Sequence, residues 1–528
     1  MADTLVPPSD APAPFVMHRR IGFGIIIGLV CGAVAIGVAQ LVAGIVDPGS
    51  SPIIAVGRAA IDATPEWLKS FAIRTFGEND KAVLLGGIGA VLTAVAALIG
   101  IAAVRRPNAG YVGLAIFGLI GAIAALTRPG AGAIDALPSV LGAVAGASML
   151  WLFVRALSAR PAAQHAEPDR PTPKGIDRRR FFLTAAAGAA TAVVAGGAGR
   201  AIARRFDANA SRAAVHIPSP TVSSAPPAGA DLDVPGLSSF ITSNADFYRV
   251  DTALLVPAVK AEDWQLRIHG MVERELTLTF DQLMARPLIE RDITLACVSN
   301  EVGGEYVGNA RWLGTPVKDL LDEAGVDTAA DQVVSRSIDG FTAGTPTTVL
   351  MDGRDAMLAI AMNGEPLPIE HGFPVRMVVP GLYGYVSATK WIVELELTTF
   401  GSFDAYWVKR GWAEQAPIKT QSRIDTPSSG TRVSAGTVAV AGVAWAQHRG
   451  IQAVELRVDG GQWMPSELSV EDTVDTWRQW LVKWNATPGE HELQVRATDR
   501  MGEVQAEEHA PPFPDGATGY HTVVVQVR

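Results

Sequence analysis

Cys297 is one of only two cysteines among 528 residues, and a thiol that scarce is the first place to look for chemistry. It follows the short apolar run around Ile293 and Leu295, and Ser299, Asn300, Gly303 and Gly304 come after it. Apolar residues giving way to Ser, Asn and Gly predict a buried strand that ends at the cysteine and opens into a loop. A thiolate there could ligate a soft metal or attack a substrate, whereas a lone cysteine can also be a small buried apolar side chain. Zinc is not indicated, because the second cysteine, Cys31, lies in an apolar run far upstream and no CxxC spacing exists.

The elements that must hold Cys297 come from the last 300 or so residues. From 231 to about 416, short apolar runs alternate with turn signals and long helical periods are few, which predicts an α+β domain. From 417 to 528 the texture changes. Val454, Leu456 and Val458 alternate with charged residues before Asp459 and Gly460, and similar alternation recurs at Leu493, Val495, Ala497 and at Val523, Val525, Val527. That pattern predicts an immunoglobulin-like β-sandwich, with Trp445, Trp463, Trp477, Trp480 and Trp484 as core or interface residues.

The motif LACVSNEVGG, followed by ARWLGTPVKDLL, resembles the cofactor-binding core of the sulfite oxidase family of molybdenum enzymes. FYRVDTALLVPAV and WQLRIHGMV upstream, and NGEPLPIEHGFPVRMVVPGLYGYVSATKWI downstream, extend the resemblance over 231–528. It implies a molybdenum–molybdopterin cofactor with Cys297 as the thiolate ligand to the metal, a soft donor suited to a metal that changes oxidation state. It also implies cofactor-binding roles for Asn300, His371, Arg376, Ser387 and Lys390, with Gly381 and Gly384 allowing close backbone approach. Arg249 aligns with an arginine of the family's anion pocket and Arg311 could support it, so both join Cys297 as catalytic candidates. The match thins at the substrate: Val250 and Asp251 replace an asparagine and a histidine, and Glu301 and Val302 stand where basic residues follow the ligand cysteine. The family's catalytic tyrosine has no clean counterpart, Tyr406 being nearest.

The first third is of another kind. At 48% hydrophobic and 18% charged residues, with a mean hydropathy of +0.22, the chain is too apolar for an ordinary soluble protein of its length. Residues 21–46, 82–104, 111–126 and 137–157 predict four membrane helices within 1–160. Arg19, Arg20, Arg105, Arg106 and Arg155 at their ends put those flanks in the cytoplasm. In the outer loop, Thr64, Pro65, Glu66 and Trp67 predict the start of a short helix on the membrane face. Residues 161–205 read as a cytoplasmic linker leading to DRRRFFLTAAAGAATAVVAGGAGRA, which resembles a twin-arginine export signal and forms a fifth helix. Residues 206–230, rich in Ala, Ser and Pro, read as an extended tether.

The expected molecule is therefore multi-domain: an α-helical transmembrane region, an α+β sulfite-oxidase-type molybdopterin domain and an immunoglobulin-like sandwich that forms a homodimer. It sits in a bacterial cytoplasmic membrane with its catalytic domain outside. Its partners are the lipid bilayer, a small oxo-acceptor or oxo-donor and an external electron carrier. The four predicted spans contain no histidine, so no haem is expected between them. A net charge of −9 and the lack of a basic, aromatic-interleaved patch argue against nucleic acid. Sulfite oxidation is the leading expectation. Reduction of S-oxides or N-oxides at the same site, and a metal-free membrane scaffold, are the alternatives.

Overall fold

A computed structural model describes residues 14–65, 68, 71, 75–76, 80–128, 131–158, 178–223 and 225–528. The chain forms two units, one reaching Phe206 and including 253–255, the other comprising 207–252 and 256–528.

In the first unit, Pro14–Val46, Asp80–Arg105, Pro107–Leu126, Leu137–Ser158 and Arg178–Ala203 are helices. Among the described residues, five helices are long and apolar enough to cross a membrane. The third starts four residues before its expected position because Pro107 occupies the first turn, where its missing N–H costs no hydrogen bond. Small residues set the packing distances. A Cβ on Gly28 would come within 1.9 Å of the Ala96 carbonyl oxygen, so glycine lets the two backbones touch. Phe181 is buried among Phe23 at 4.6 Å and Phe153 at 5.3 Å between ring centres. Val91, Leu98, Val193 and Val194 are exposed, the pattern of helices that face an apolar solvent.

The loop after the first helix contains a helix the sequence reading did not anticipate, Pro52–Ala63. Thr64 closes it by donating its hydroxyl to the Ala60 carbonyl at 2.6 Å. Glu66 and Trp67, assigned to the helix on the membrane face, lie outside the described residues, while Leu68, Phe71 and Phe76 are helical and exposed. Most of the expected cytoplasmic linker, with Asp177, also lies outside them.

The second unit holds four sheets. Strands β1 (Gln265–Gly270), β2 (Leu276–Thr279), β3 (Ile289–Ala296), β4 (Val307–Pro316), β5 (Gln332–Ser337), β6 (Thr342–Pro346), β7 (Met357–Met362), β8 (Glu365–Pro366), β9 (Arg376–Val378) and β10 (Ile392–Thr398) make the first two. One runs β2-β1-β10-β5-β6, with β1 and β10 parallel, and the other runs β3-β4-β7-β8, with β9 beside β7. β3 is the edge strand, which leaves alternate backbone groups to be satisfied from elsewhere.

The sandwich consists of β11 (Gln421–Thr426), β12 (Arg432–Val433), β13 (Gly436–Trp445), β14 (Ile451–Val458), β15 (Met464–Pro465), β16 (Glu467–Leu468), β17 (Arg478–Ala486), β18 (Gly489–Asp499) and β19 (His521–Val527). Its sheets run β11-β13-β17-β16 and β12-β19-β18-β14-β15. The residues predicted to alternate inward do so: Leu456, Leu493, Val495 and Val525 are fully buried with Trp480 between the sheets. Trp445 and Trp477 instead join the core of the preceding domain, and Trp463 packs under Arg457 and Arg496.

Residues 206–230 differ from the expected free tether. Asn209–Ala214 is a helix, Arg212 donates to the carbonyls of Pro366 and Leu367, and Thr221 donates to Leu288 through both its amide and its hydroxyl. Ala208, Ala230, Val215 and Ile217 also pack on the domain core, but as isolated apolar residues among Ala, Ser and Pro they show no strand or helix period in the sequence.

Candidate functional site

The loop beginning at Cys297 is closed by its own polar groups. The Cys297 amide donates to the Tyr306 carbonyl at 2.9 Å, and the Asn300 amide donates to the Cys297 carbonyl at 3.1 Å. The Asn300 side-chain oxygen accepts from the Tyr306 amide at 2.8 Å, which makes Asn300 the staple of the loop. Gly303 has φ +75°, a conformation that favours glycine. Cys297 is buried, and its Sγ accepts a 3.4 Å hydrogen bond from the Ser299 amide. Burial pushes the thiol up, against the opposing effect of Ser299. Free of a metal or a cation, it stays protonated at neutral pH.

Around it lies a cluster of aromatic and cationic side chains from distant parts of the chain. Phe247 stacks on Tyr248 at 5.2 Å and meets Trp312 and His371 edge-on, each at 5.7 Å. The Arg376 guanidinium lies 5.0 Å from the centre of the Trp312 ring. Tyr248 is within electrostatic reach of both Cys297 and Arg376, and burial raises its phenol far above the ordinary value. Tyr383, also within reach of Cys297, is pushed up to about 12, mainly by burial.

His371 and Arg376 come together across the turn between them, where Arg376 donates to the His371 carbonyl at 3.3 Å. His371 Nε2 donates to the Asn244 carbonyl at 3.1 Å, so that nitrogen carries the proton. Burial first, then Arg376 and Lys390, lower it to about 4, which keeps it neutral. Arg376 is 6% exposed, and its Nε has no hydrogen-bond partner. Burial pulls it down to about 10. Lys390 is drawn down to about 8 by burial, against the attraction of Asp251. Asp251 receives Lys390 at 2.7 Å and Arg249 at 3.1 Å. Lys390 and Arg249 thus share a single aspartate, with Arg376 within electrostatic reach of Lys390, an arrangement whose positive charge suits an anion.

Other expected residues take different places. Arg311 faces Asp292 across the β3–β4 ladder and holds both carboxylate oxygens at 2.8 Å. It stands four ladder positions from the Ala296–Val307 pair, roughly 13 Å along the strand. The ion pair accounts for it, and it does not join the group around Cys297. Ser387 spends its proton inside the GLYGYV turn, on the carbonyls of Leu382 and Tyr383. Gly381 has φ +86°, and a Cβ there would meet Arg354 and His448, so local packing explains this glycine. Tyr406 packs on Phe341 beneath Arg410. Tyr248 and Asp251 are the residues that sequence reasoning did not assign a role. FYRVD contains both: Asp251 stood out only as a departure from the resemblance, and Tyr248 only by its proximity to Arg249.

The residues fit a metal held by an anionic chelate. Among the described residues no three His, Cys, Asp or Glu side chains converge on a metal position, and Cys297 is the soft donor beside the cation cluster. The buried, unpartnered Arg376 Nε is a donor awaiting an acceptor.

Two family models match the chain: the oxidoreductase molybdopterin binding domain over 253–407 and a bacterial Ig domain over 421–495. The mitochondrial sulfite oxidase of Rattus norvegicus is 30% identical over 341 residues, 55% of this chain and 62% of its own length. This chain therefore spans about three fifths of that relative. The uncharacterized oxidoreductase YuiH of Bacillus subtilis (strain 168) is 33% identical over 149 residues, which are 28% of this chain and 72% of YuiH. Among solved structures, the sulfane dehydrogenase SoxCD of Paracoccus pantotrophus is similar at 24% identity and a TM-score of 0.48, covering 55% of this chain and 83% of its own.

Proposed function

The chain belongs to the family of molybdopterin-binding oxidoreductases, and from that premise we propose a membrane-anchored, exported enzyme that oxidises sulfite or a related small oxo-acceptor. It is an enzyme of this class with a molybdenum cofactor, so the metal-free scaffold is set aside. Bound molybdenum–molybdopterin supplies two-electron oxygen-atom transfer between water and substrate. Cys297 serves as the protein thiolate on the metal. Arg376 and Lys390 would hold the anionic end of the pterin, with neutral His371, its Nε2 proton given to the Asn244 carbonyl, beside them. Arg249, whose side chain is 34% exposed beside Asp251, is the cation that an incoming anion meets. An external carrier would take up the electrons. The five apolar helices and the basic flanks support anchoring, and the twin arginines Arg178 and Arg179 support export of the folded domain.

The observation that carries this reading is the buried thiol beside a cation cluster with an unpartnered guanidinium nitrogen. Glu301, exposed in the cysteine loop, favours a second reading, reduction of an uncharged S-oxide or N-oxide, because its carboxylate repels a dianion. The two are separated by mixing sulfite with the oxidised enzyme and following the metal's absorbance. Bleaching in a single turnover supports sulfite oxidation. An unchanged spectrum with sulfite, together with reoxidation of the reduced enzyme by an S-oxide, establishes the reverse direction.

A further inference from the structure

The strand that ends at Cys297 is finished by the sandwich. Thr294, three residues before the thiol, sits on the open edge of β3 and gives its amide to the Asp475 carbonyl at 2.9 Å. Its carbonyl accepts from the Gln447 side chain at 3.0 Å, and its hydroxyl accepts from the Trp477 amide at 2.7 Å. All of these partners belong to the loops between β13 and β17, so the edge strand is completed by a different domain.

The loop beyond the thiol is gripped from the same side. Arg423, on β11, donates Nη1 to the Gly304 carbonyl at 2.9 Å, Nη2 to the Ser238 hydroxyl at 3.0 Å and Nε to Asp425 at 2.6 Å. With every arm of its fork engaged and its side chain 11% exposed, it holds one orientation. His521 completes the grip. The Ile424 amide donates to its Nδ1 at 2.9 Å, which places the ring proton on Nε2. The ring lies against Gly303 so closely that a Cβ there would come within 2.2 Å of it.

We propose that the sandwich positions the metal ligand: Arg423 and His521 are positioning residues that fix the Cys297 loop, and Thr294 transmits the same constraint along β3. This rests on the reading of Cys297 as ligand, but its test needs no metal. The thiol is buried only while the loop stays closed, so the rate at which it is alkylated reports how often the loop opens.

The full chain, made without cofactor, is treated with iodoacetamide, and modification is counted on the Cys297 peptide by mass spectrometry, which separates it from Cys31. Arg423→Ala is compared with Arg449→Ala. Arg449 lies in the same sandwich and is bound to Asp499 and the Ile418 carbonyl, with no bond to the cysteine loop. Arg423→Ala is expected to raise the rate about tenfold, the change in opening that loss of a charge-assisted hydrogen bond produces, and His521→Ala, which removes the ring packed on Gly303, to raise it by less. Arg449→Ala is expected to leave it within about twofold even where it lowers the melting temperature as much. Equal rates for Arg423→Ala and Arg449→Ala, or acceleration that merely tracks melting temperature, overturn the proposal. Failure of the ligand reading would show separately, as an unaltered metal environment after Cys297→Ala.

Discussion

Arg376 is the residue whose environment is hardest to explain by folding alone. Its guanidinium is buried, one nitrogen has no acceptor, and the neighbouring Lys390 already shares Asp251 with Arg249. A buried cation in that state weakens the fold and strengthens the binding of an anion. Arg376→Gln is therefore expected to lower the cofactor content of purified protein by about tenfold or more. The cofactor-free chain should lose no stability and gain about 1 kcal/mol. Pterin fluorescence and urea melts read the two effects, and a destabilised variant that keeps its cofactor would contradict the assignment. The resemblance to the sulfite oxidase family singled out Cys297, His371, Arg376 and Lys390, which the fold brings near one another. Asp251 was legible only as a departure from the family, because its partner Lys390 lies 139 positions away. The place of Arg311 was not legible for the complementary reason: its partner Asp292 sits directly across a hairpin, and strand register cannot be seen in an unpaired string.

At the scale of elements, the sandwich and the pterin domain share a boundary that contains more than apolar surface. Asp472 lies beside Asp292 and Arg311, and burial together with Asp292 pushes its carboxyl up to about 6. A carboxyl whose folded value exceeds its unfolded one, near 3.9, costs stability as it ionises. That cost is absent below the unfolded value and complete above about pH 6. Asp472→Asn should thus raise the urea midpoint at about pH 8 and leave it unchanged below about pH 4. An equal shift at both would mean that packing, and not ionisation, is at work. Alternation made the sandwich strands legible, and the cysteine's strand-to-loop position followed from Ile293, Leu295 and the glycines. The attachment of 206–230 was not legible, since Thr221 and Arg212 reach backbone carbonyls that any sequence supplies and Val215 and Ile217 pack on the core without a regular period.

For the whole molecule, the apolar helices were the clearest signal, because each run's length and lack of charge were sufficient to find it. Pro52–Ala63 escaped because a proline and a glycine within twelve residues read as loop. If Arg178 and Arg179 direct export of the folded enzyme, replacing both by lysine should leave the earlier helices inserted. It should strand the catalytic unit inside, where added protease cannot reach it in spheroplasts. Unchanged protease sensitivity would show instead that this helix inserts as an ordinary span. The central claim is that Cys297 binds the metal, and molybdenum K-edge absorption tests it most directly, on the full chain and its Cys297→Ala twin from a host that makes the cofactor. The expected result is about one molybdenum per wild-type chain and, in the twin, a metal that has lost one sulfur neighbour while the pterin is retained. Identical sulfur coordination in both proteins, or a folded wild-type chain without molybdenum, would contradict it.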